Sequence, residues 1–433
     1  MPKEKYLIVV GGTTASGKTG FAIRLAQYFN TSIISVDSRQ FYREMSIGTA
    51  KPTVDELAQA PHHFIGHRSI FDSYSAGDFE TEALALLDRL FQEKDIVIAC
   101  GGSGLYLKAI TEGLNDFPEV PMATRQAIEK EYEEKGLEWL QGRLQQVDPA
   151  YCQIVDMQNP HRLIRALSVY EVSGEAFSSF RQQQGPKRNF QAIYLQLYWP
   201  REEQYQRINQ RVDAMMEAGQ LAEAKGLFPH RHLTALQTVG YQELFAHLAG
   251  ESTLAEAIDL IKRNTRRYAK RQLTWMRRDR HWKHLHPSEW EVACAYIESA
   301  RQDQFQIRMA SVQEAVALSQ DWPAPFLDWP ILGKLDILLG LKGKQIISQL
   351  PIQVFKKEVL LLPTICEGEV TNSLTQLLWH EALAWTEGRV TYIAHSTENP
   401  ALLPPKTQLQ APPTWPPKIQ AFQQVFTKIS LVS

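Results

Sequence analysis

The 433-residue chain lacks long hydrophobic runs, closely spaced cysteines and a large excess of charge of either sign. No stretch approaches the roughly 18 apolar residues of a membrane-spanning helix. The cysteines show no C-x-x-C spacing, which excludes a zinc site or redox pair of that kind and favours a reducing compartment. With a net charge of -2, any affinity for nucleic acid must come from a local patch. The four cysteines are Cys100, Cys152, Cys294 and Cys366.

Short apolar runs alternate with helical patterns in the first half of the chain. The opening MPKEKYLIVVGG favours a buried strand over a signal peptide, so we expect a cytoplasmic protein. The alternation predicts an α/β fold with a doubly wound parallel sheet. The strand-like runs are YLIVVGG, SIISVD, DIVIACGG and AIYLQLYWP.

Two changes of pattern divide the chain. Only helical patterns separate the third and fourth strand-like runs, which predicts an inserted helical domain over the ligand edge of the sheet. Near residue 300 the composition shifts, and 12 of the 23 prolines lie from Met309 onward. The oligomeric state is not determined by these patterns, and a monomer is favoured. We predict a core of residues 1–117 and 190–302, an insert of 118–189 and a C-terminal domain of 303–433.

The segment GTTASGKT matches the phosphate-binding pattern G-x-x-x-x-G-K-[ST] between a strand and a helix. In this motif backbone N–H groups turn toward phosphate oxygens, and the start of the helix adds partial positive charge. Lys18 adds a full charge, and the Thr19 hydroxyl is suited to Mg²⁺. The predicted phosphate-binding residues are Gly12, Thr13, Thr14, Ala15, Ser16, Gly17, Lys18 and Thr19.

An acid is missing where many ATPases and kinases carry one, at the end of a later strand. The third strand-like run ends in ACGGSG, and the only acid that ends a strand-like run is Asp37. Asp37 either holds magnesium, acts as a base toward a substrate, or caps the following turn. Its expected position at the carboxyl edge of the strand next to the loop favours a functional role.

A second glycine turn, Gly101 to Gly104, also joins a strand to a helix. Together with the phosphate loop it predicts two backbone surfaces lining one pocket, where Ser103 offers a hydroxyl. Further along, Arg207 and Arg211 are one helical turn apart. This pair either belongs to a structural ion-pair face or holds a leaving diphosphate.

Residues 262–283 hold ten basic residues against a single acid, Asp279. Solvated charged faces normally alternate in sign, so this run favours contact with nucleic acid or phosphate. Tyr268 and Trp275 interleave with the charges, for packing or for base stacking. A second basic cluster, NPHRLIRAL, places Arg162 and Arg165 on one helix face.

Many ordered segments resemble the tRNA dimethylallyltransferases, also called tRNA isopentenyltransferases. The resemblance covers residues 5 to about 285, and the ordered set is far more specific than any one segment. It implies a P-loop NTPase-like α/β fold with an inserted helical domain. The matching segments are GTTASGKT, SVDSRQFYREMSIGTAKPT, APHHFIG, YSAGDF, GGSGLYLKA, NPHRLIRALSVYEVSG, RINQRVDAMMEAG, TVGYQEL and TRRYAKRQLTWMRRD.

The resemblance implies transfer of a dimethylallyl group from dimethylallyl diphosphate to N6 of the adenine 3′ of the anticodon in tRNA. That base must leave its stack to be reached. Asp37 would accept the proton from N6, while Lys18, Arg211 and Mg²⁺ on Thr19 would stabilise the leaving diphosphate. Ser103 belongs to the same expected catalytic set.

The resemblance also implies contacts with the tRNA anticodon stem-loop. The segment DSRQ would line the adenine site, HRLIR would hold the stem-loop from the inserted domain, and the basic helix would add phosphate contacts. The implied tRNA-binding residues are Asp37, Ser38, Arg39, Gln40, Ser103, Arg125, His161, Arg162, Leu163, Ile164, Arg165, Arg266 and Arg271.

Three positions depart from the usual family pattern. Ser103 stands where threonine is more frequent, His161 where glutamine is common, and Thr13 where proline is usual. Ser103 keeps the hydroxyl, and Thr13 removes no N–H donor. None of the changes removes a chemical group that the reaction needs.

Residues 303–433 lie outside the resemblance. Their order of strand, helix and strand is faintly similar to that of acetyltransferases, but the expected glycine-rich loop is reduced to CEGEVTN. We expect a structural or partner-binding appendage there. For the whole chain, a P-loop small-molecule kinase and a nucleic-acid-stimulated ATPase or binding module remain the alternatives.

Overall fold

The computed structural model describes most of the chain up to residue 301 and separate segments beyond it. Every structural statement below concerns these residues. None of the helices in this part of the chain is long and apolar enough to cross a membrane. The described ranges are 4–181, 187–277, 282–301, 306–320, 334–342, 345–355, 358–361, 365–366, 390–394 and 426–429.

The described chain contains two β-sheets and helices on both sides of residue 190. The strands of the first sheet are β1 (Tyr6–Gly12), β2 (Ile33–Val36), β3 (His62–His63), β4 (Ile96–Gly101), β5 (Gln191–Leu197) and β6 (Lys283–Leu285). The helices are α1 (Lys18–Tyr28), α2 (Val54–Gln59), α3 (Ala76–Glu93), α4 (Gly104–Thr111), α5 (Met122–Val147), α6 (Pro149–Cys152), α7 (Pro160–Ser173), α8 (Phe177–Phe180), α9 (Arg201–Glu217), α10 (Gln220–Leu227), α11 (Tyr241–Leu248), α12 (Leu254–Met276), α13 (Trp290–Arg301) and α14 (Val312–Gln320).

The first sheet has the order β3-β2-β4-β1-β5-β6, and every neighbouring pair is parallel. All seven residues of β1 are buried, as expected for a strand covered by helices on both faces. The four strand-like runs predicted from the sequence are β1, β2, β4 and β5. The strands β3 and β6 were not predicted because two or three residues are too few to show a period.

The order of the strands corrects one expectation. The strand that precedes Asp37 is not next to the strand of the phosphate loop, because β4 lies between β1 and β2. Gly101 pairs with Gly11 on one side and with Val36 on the other. The second glycine turn is therefore the direct neighbour of both the phosphate loop and the Asp37 turn.

The helix α12 contains most of the basic run and begins with a capping box formed by Thr253 and Glu256. Its buried residues include Ile261, Ala269 and Gln272, so one face of this charged helix packs into the protein. Amphipathic packing of this kind gives a helix most of its stability. The helix is thus fixed against the α/β core.

A separate compact unit spans residues 108–188, compared with the predicted insert of 118–189. It contains α5 to α8, as expected for a helical insert. Its apolar core includes Leu140, Leu163 and Leu167, which are fully buried. The helix α5 is interrupted at Gly136, whose φ of 77° lies in the left-handed region that glycine tolerates.

The second sheet belongs to the predicted C-terminal domain. It has the order β13-β12-β10-β9-β8-β7, with β11 paired to β9, and the pair β10 and β12 is parallel. The segment TNSLTQLLWHEALAWTEG, whose pattern predicts the helix in the expected order of strand, helix and strand, lies outside the described residues. So does the segment 399–418, which contains many of the C-terminal prolines. The strands are β7 (Gln306–Met309), β8 (Lys334–Lys342), β9 (Gln345–Phe355), β10 (Glu358–Leu361), β11 (Ile365–Cys366), β12 (Val390–Ala394) and β13 (Phe426–Ile429).

His67 lies among aromatic rings in the part of the chain before residue 108. The ring centroids of Phe41, Phe64 and Tyr74 are 5.4, 5.1 and 5.3 Å from that of His67. Both ring nitrogens of His67 are buried, and neither has a hydrogen-bond partner among the described residues. Burial therefore lowers the pKa of His67 below its usual value of 6.5.

We expect the free energy of unfolding to decrease as the pH falls below about 6.5. Below that pH, His67 binds a proton in the unfolded chain more readily than in the folded chain, where its ring nitrogens are buried. The stabilising contribution is present above that pH and is lost below it. Urea unfolding at about pH 7.5 and 5.5 measures this dependence. His67→Phe should reduce the dependence, whereas His232→Gln, at an exposed histidine, should leave it unchanged. Equal dependence in both variants would contradict the assignment to His67.

Candidate active site

A cavity of about 620 Å³ opens at the carboxyl edge of the first sheet. The phosphate loop, the Asp37 turn and the second glycine turn line it, together with one face each of α9 and α12. This is where open α/β sheets bind ligands. The structure thus brings together the predicted residues Lys18, Thr19, Asp37 and Arg211 around one space.

The carbonyl groups of the phosphate loop are held by side chains. Lys18 Nζ donates to the Thr13 carbonyl at 2.6 Å. Gln204 Nε2 and Arg207 Nε, both on α9, donate to the carbonyls of Thr14 and Ala15 at 2.8 and 3.0 Å. Trp199 Nε1 donates to the Ser16 carbonyl at 3.1 Å. Four consecutive carbonyls are therefore occupied, which fixes the loop before any ligand binds.

Two glycines of the loop are required by its geometry. A Cβ at Gly12 would lie 2.7 Å from Ser16 Oγ and 2.9 Å from the Leu197 carbonyl oxygen. Gly17, the N-cap of α1, has a φ of 88°, which only glycine adopts without strain. Side chains larger than glycine are therefore excluded at these two positions of the sequence pattern.

The electrostatics of the cavity favour an anion. The pKa of Lys18 is lowered to about 8, mainly by desolvation and also by the nearby charge of Arg211, while Cys100 and Asp37 oppose the shift. Desolvation also lowers the pKa of Arg211, against the opposing effect of Asp37. Two cations held close together at a cost in desolvation are a feature of functional sites and would be stabilised by bound phosphate.

Asp37 follows β2 directly and faces this pair of cations. Its Oδ1 accepts the backbone N–H groups of Arg39 at 2.9 Å and of Gln40 at 3.4 Å. Within the described part of the chain, no hydrogen bond is made by Oδ2. The carboxylate thus caps its own turn with one oxygen, as one of the sequence interpretations predicted, while the other oxygen lies without a hydrogen bond from the described residues.

The other residues of the DSRQ segment anchor the turn. Gln40 Nε2 donates to the carbonyls of Thr49 and Ala50 at 3.3 and 3.1 Å. Arg39 donates from NH1 to the Ala235 carbonyl at 3.0 Å. Ser38 donates its backbone N–H to Ser103 Oγ at 3.1 Å. Ser103 therefore touches the turn that carries Asp37.

The second glycine turn allows close approaches at Gly101 and at Gly104. A Cβ at Gly101 would overlap the backbone of Val36, and one at Gly104 would overlap the indole of Trp275. The Trp275 ring thus packs against this turn. Tyr268 hydrogen-bonds to Ser103, and desolvation raises the pKa of its hydroxyl to about 12, so it stays protonated.

The helix α12 has two faces with different chemistry. Its inward face, spaced at helical intervals, contributes Ile261, Thr265, Tyr268 and Gln272 to the cavity lining. The outward face is basic. Its exposed basic residues are Arg263, Arg267, Lys270 and Arg271, and the exposed Arg277 follows directly after the helix.

The predicted basic residues differ in their surroundings. Arg271 is exposed, whereas Arg266 is half-buried and donates to Asn209 Oδ1 on α9 at 2.6 Å. Lys262 forms an ion pair with Asp213 at 2.6 Å. Arg278 and Arg280 of the same basic run lie outside the described residues.

Residues predicted on the inserted unit divide by exposure. His161, Arg162 and Arg165 on α7 are exposed, and so is Arg125 on α5, which pairs with Glu129 at 2.8 Å. The side chains of Leu163 and Ile164 are buried in the core of this unit, because they fall on the inward face of α7. Their side chains are therefore not accessible to a ligand, whereas those of the other three residues of HRLIR are exposed.

Sequence reasoning missed the residues that brace the phosphate loop, Trp199, Gln204 and Gln272. One signal was present, since Gln272 is a polar residue on the apolar side of α12. No signal marked Trp199 and Gln204, because their partners are backbone carbonyls distant in sequence.

The chain is similar to a family of known proteins. A family model described as IPP transferase matches residues 40–279. A tRNA dimethylallyltransferase of Christiangramia forsetii is 53% identical over 276 residues, which is 64% of this chain and 91% of that protein. Its namesake in Cytophaga hutchinsonii is 46% identical over 300 residues, or 69% of this chain and 99% of that protein.

Solved structures give the same result for the fold. A tRNA isopentenylpyrophosphate transferase of Bacillus halodurans is 34% identical, with a TM-score of 0.53, covering 70% of this chain and 98% of that one. A eukaryotic dimethylallyltransferase acting on tRNA is 26% identical, with a TM-score of 0.60, covering 69% of this chain and 80% of that one. The predicted P-loop NTPase-like α/β fold is confirmed. The chain belongs to the IPP transferase family.

Proposed function

We propose that this protein transfers a dimethylallyl group from dimethylallyl diphosphate to N6 of the adenine next to the anticodon in tRNA, on its 3′ side. The observation that carries the proposal is that Lys18, Arg211 and Asp37 line the same cavity. Relatives named tRNA dimethylallyltransferase support it. Those names do not support the alternatives, a small-molecule kinase or a nucleic-acid-stimulated ATPase.

The proposed chemistry needs both the cations and the carboxylate of the cavity. The N6 lone pair of adenine is delocalised and weakly nucleophilic, so the allylic carbon must become strongly electrophilic. As N6 bonds to that carbon, the carbon–oxygen bond breaks and diphosphate leaves with the bonding electrons. Lys18, Arg211 and the loop N–H groups stabilise the leaving charge. Asp37 takes the proton that N6 loses.

The residues present are compatible with a magnesium ion. No cluster of three or more acidic, histidine or cysteine ligands occurs in the described chain, but Mg²⁺ uses few protein ligands and completes its shell with water and substrate phosphate. Thr19 lines the cavity one residue after Lys18, and its hydroxyl would hold the ion. Bound Mg²⁺ would neutralise charge on the diphosphate.

The RNA would meet the exposed basic residues. The outward face of α12 offers Arg267, Lys270 and Arg271 to phosphates, and the inserted unit offers Arg162 and Arg165. The target adenine must be turned out of the anticodon loop to bring N6 near Asp37. A tRNA substrate makes the cytoplasm the expected place of action, and we favour a monomer.

For the C-terminal sheet we propose a structural or partner-binding role. Met309, Leu350 and Ile352 belong to one apolar cluster with Ile297 and Ala300 of α13, so the sheet is packed against the core. The segment CEGEVTN is only partly described, at Cys366. No catalytic role is proposed for this domain.

The decisive experiment is incubation of the purified protein with radiolabelled dimethylallyl diphosphate and unmodified tRNA. We expect label in the tRNA, and none in a matched tRNA with guanine in place of the adenine 3′ of the anticodon. The control reaction contains ATP instead of the donor. Hydrolysis of ATP without any transfer of label would refute the proposed function and favour the ATPase alternative.

A further inference from the structure

Gln272 lies on the inward face of α12 and is 8% exposed. Its Oε1 accepts the backbone N–H of Thr14 at 2.9 Å, and its Nε2 donates to the backbone carbonyl of Gly102 at 3.0 Å. One side chain thus joins the phosphate loop after β1 to the glycine turn after β4. The Gln272 amide has one orientation that meets both partners, with its oxygen toward the Thr14 N–H group and its nitrogen toward the Gly102 carbonyl.

The surroundings leave little freedom in this bridge. A Cβ at Gly102 would overlap the Gln272 amide and lie 3.1 Å from the carbonyl oxygen of Gly12. Ala269 and Met276, one turn away on either side of Gln272, are almost completely buried, so α12 cannot shift without disturbing the core. The amide therefore sets the distance between the two turns.

The bridge also affects which loop amides are available. Thr14 N–H is occupied by Gln272, while its carbonyl is held by Gln204. The peptide groups on both sides of Thr14 are thereby fixed, and the N–H of Ser16 donates to the Thr13 carbonyl at 3.3 Å. The amides from Gly17 to Thr19 are left for phosphate. Loop amides that are already oriented do not lose free energy to reorganisation when an anion binds.

We propose that Gln272 is a positioning residue of the diphosphate site, which holds the two glycine turns at the spacing that a bound diphosphate requires. This inference rests on the proposed function for the identity of the ligand. Gln272 does not touch the reacting atoms in this role. It acts through Thr14 and Gly102.

The test uses the full chain and inorganic diphosphate with Mg²⁺ as the probe, titrated calorimetrically. Gln272→Met keeps the length of the side chain but forms neither hydrogen bond, and we expect diphosphate to bind about tenfold to a hundredfold more weakly. The matched control is Gln242→Met, at an exposed glutamine of α11 whose side chain bonds only to Gln237 among the described residues. It should bind diphosphate as the wild type does.

Further measurements separate positioning from general structural damage. For Gln272→Met we expect tRNA affinity to be retained and KM for the donor to rise more than kcat falls. A variant that loses tRNA and diphosphate affinity together would contradict the proposal. Should Gln272→Met fail to fold, Gln272→Asn, which is too short to reach both partners but keeps a polar amide, should show the same weakening.

The outcomes remain distinct from those for the proposed function. Unchanged or tighter diphosphate binding in both Gln272 variants would overturn the positioning role even if tRNA is prenylated normally. Wild-type protein that binds diphosphate but transfers no label would refute the function and leave the Gln272 comparison valid. Wild-type protein that binds no diphosphate would overturn both.

Discussion

Asp37→Asn is expected to slow prenyl transfer about 10²- to 10⁴-fold while leaving tRNA affinity nearly unchanged. Asparagine retains an oxygen that can accept the N–H groups of Arg39 and Gln40, so the turn stays capped. It has no carboxylate to accept the proton from N6. Single-turnover transfer with saturating tRNA measures the chemical step, and a filter-binding assay measures tRNA affinity.

Asp37→Ala is the companion variant, because it removes both the base and the cap. We expect it to be as slow as Asp37→Asn and less stable, since the turn loses two hydrogen bonds. If Asp37→Asn retained a rate within about tenfold of wild type while Asp37→Ala were inactive, Asp37 would be a structural cap. Loss of tRNA binding in both variants would lead to the same conclusion.

Arg211→Gln is expected to reduce kcat by about 10²- to 10³-fold, the usual loss when one group that stabilises a leaving charge is removed. Arg211 lines the cavity close enough to Lys18 to lower its pKa. Asp37 in turn is close enough to Arg211 to raise the pKa of the guanidinium. Diphosphate develops its full charge only as the carbon–oxygen bond breaks. The loss should therefore appear mainly in kcat, measured with saturating donor and tRNA.

A second arginine of α9 provides the control. Arg201 is exposed at the first position of the helix and lies over the ring of Tyr205, with 5.3 Å from its guanidinium carbon to the ring centroid. Arg201→Gln should have nearly wild-type kcat. Arg211→Lys, which keeps the charge but not the planar guanidinium, should recover part of the loss. Equal rates for Arg211→Gln and Arg201→Gln would exclude a role for Arg211 in the reaction.

The backbone path of the phosphate loop could be predicted from its local sequence. Its pattern requires a particular backbone path within eight consecutive residues, and the limits at Gly12 and Gly17 are visible in both sequence and structure. The strands β1, β2, β4 and β5 were equally predictable, because buried parallel strands are continuous apolar runs. Such features depend on neighbours along the chain.

The neighbours of the Asp37 turn were only partly predictable. Sequence order suggested that the strand before Asp37 lies next to the phosphate loop, whereas β4 separates them. The reason is that right-handed crossovers restrict the connection between parallel strands but do not determine which strand fills a given place in the sheet. Long-range packing decides that place.

By itself, the sequence determined the α/β class, the phosphate loop, the strand-end carboxylate and the basic helix, since each depends on the period or chemistry of contiguous residues. Only the tertiary structure decided that Asp37 faces Lys18 and Arg211 and that Gln272 bridges the two glycine turns. Gln272 forms hydrogen bonds with Thr14, which is 258 positions away in the chain, and with Gly102, which is 170 positions away. Contacts at such separations form only when the strands and helices pack, so no local pattern encodes them.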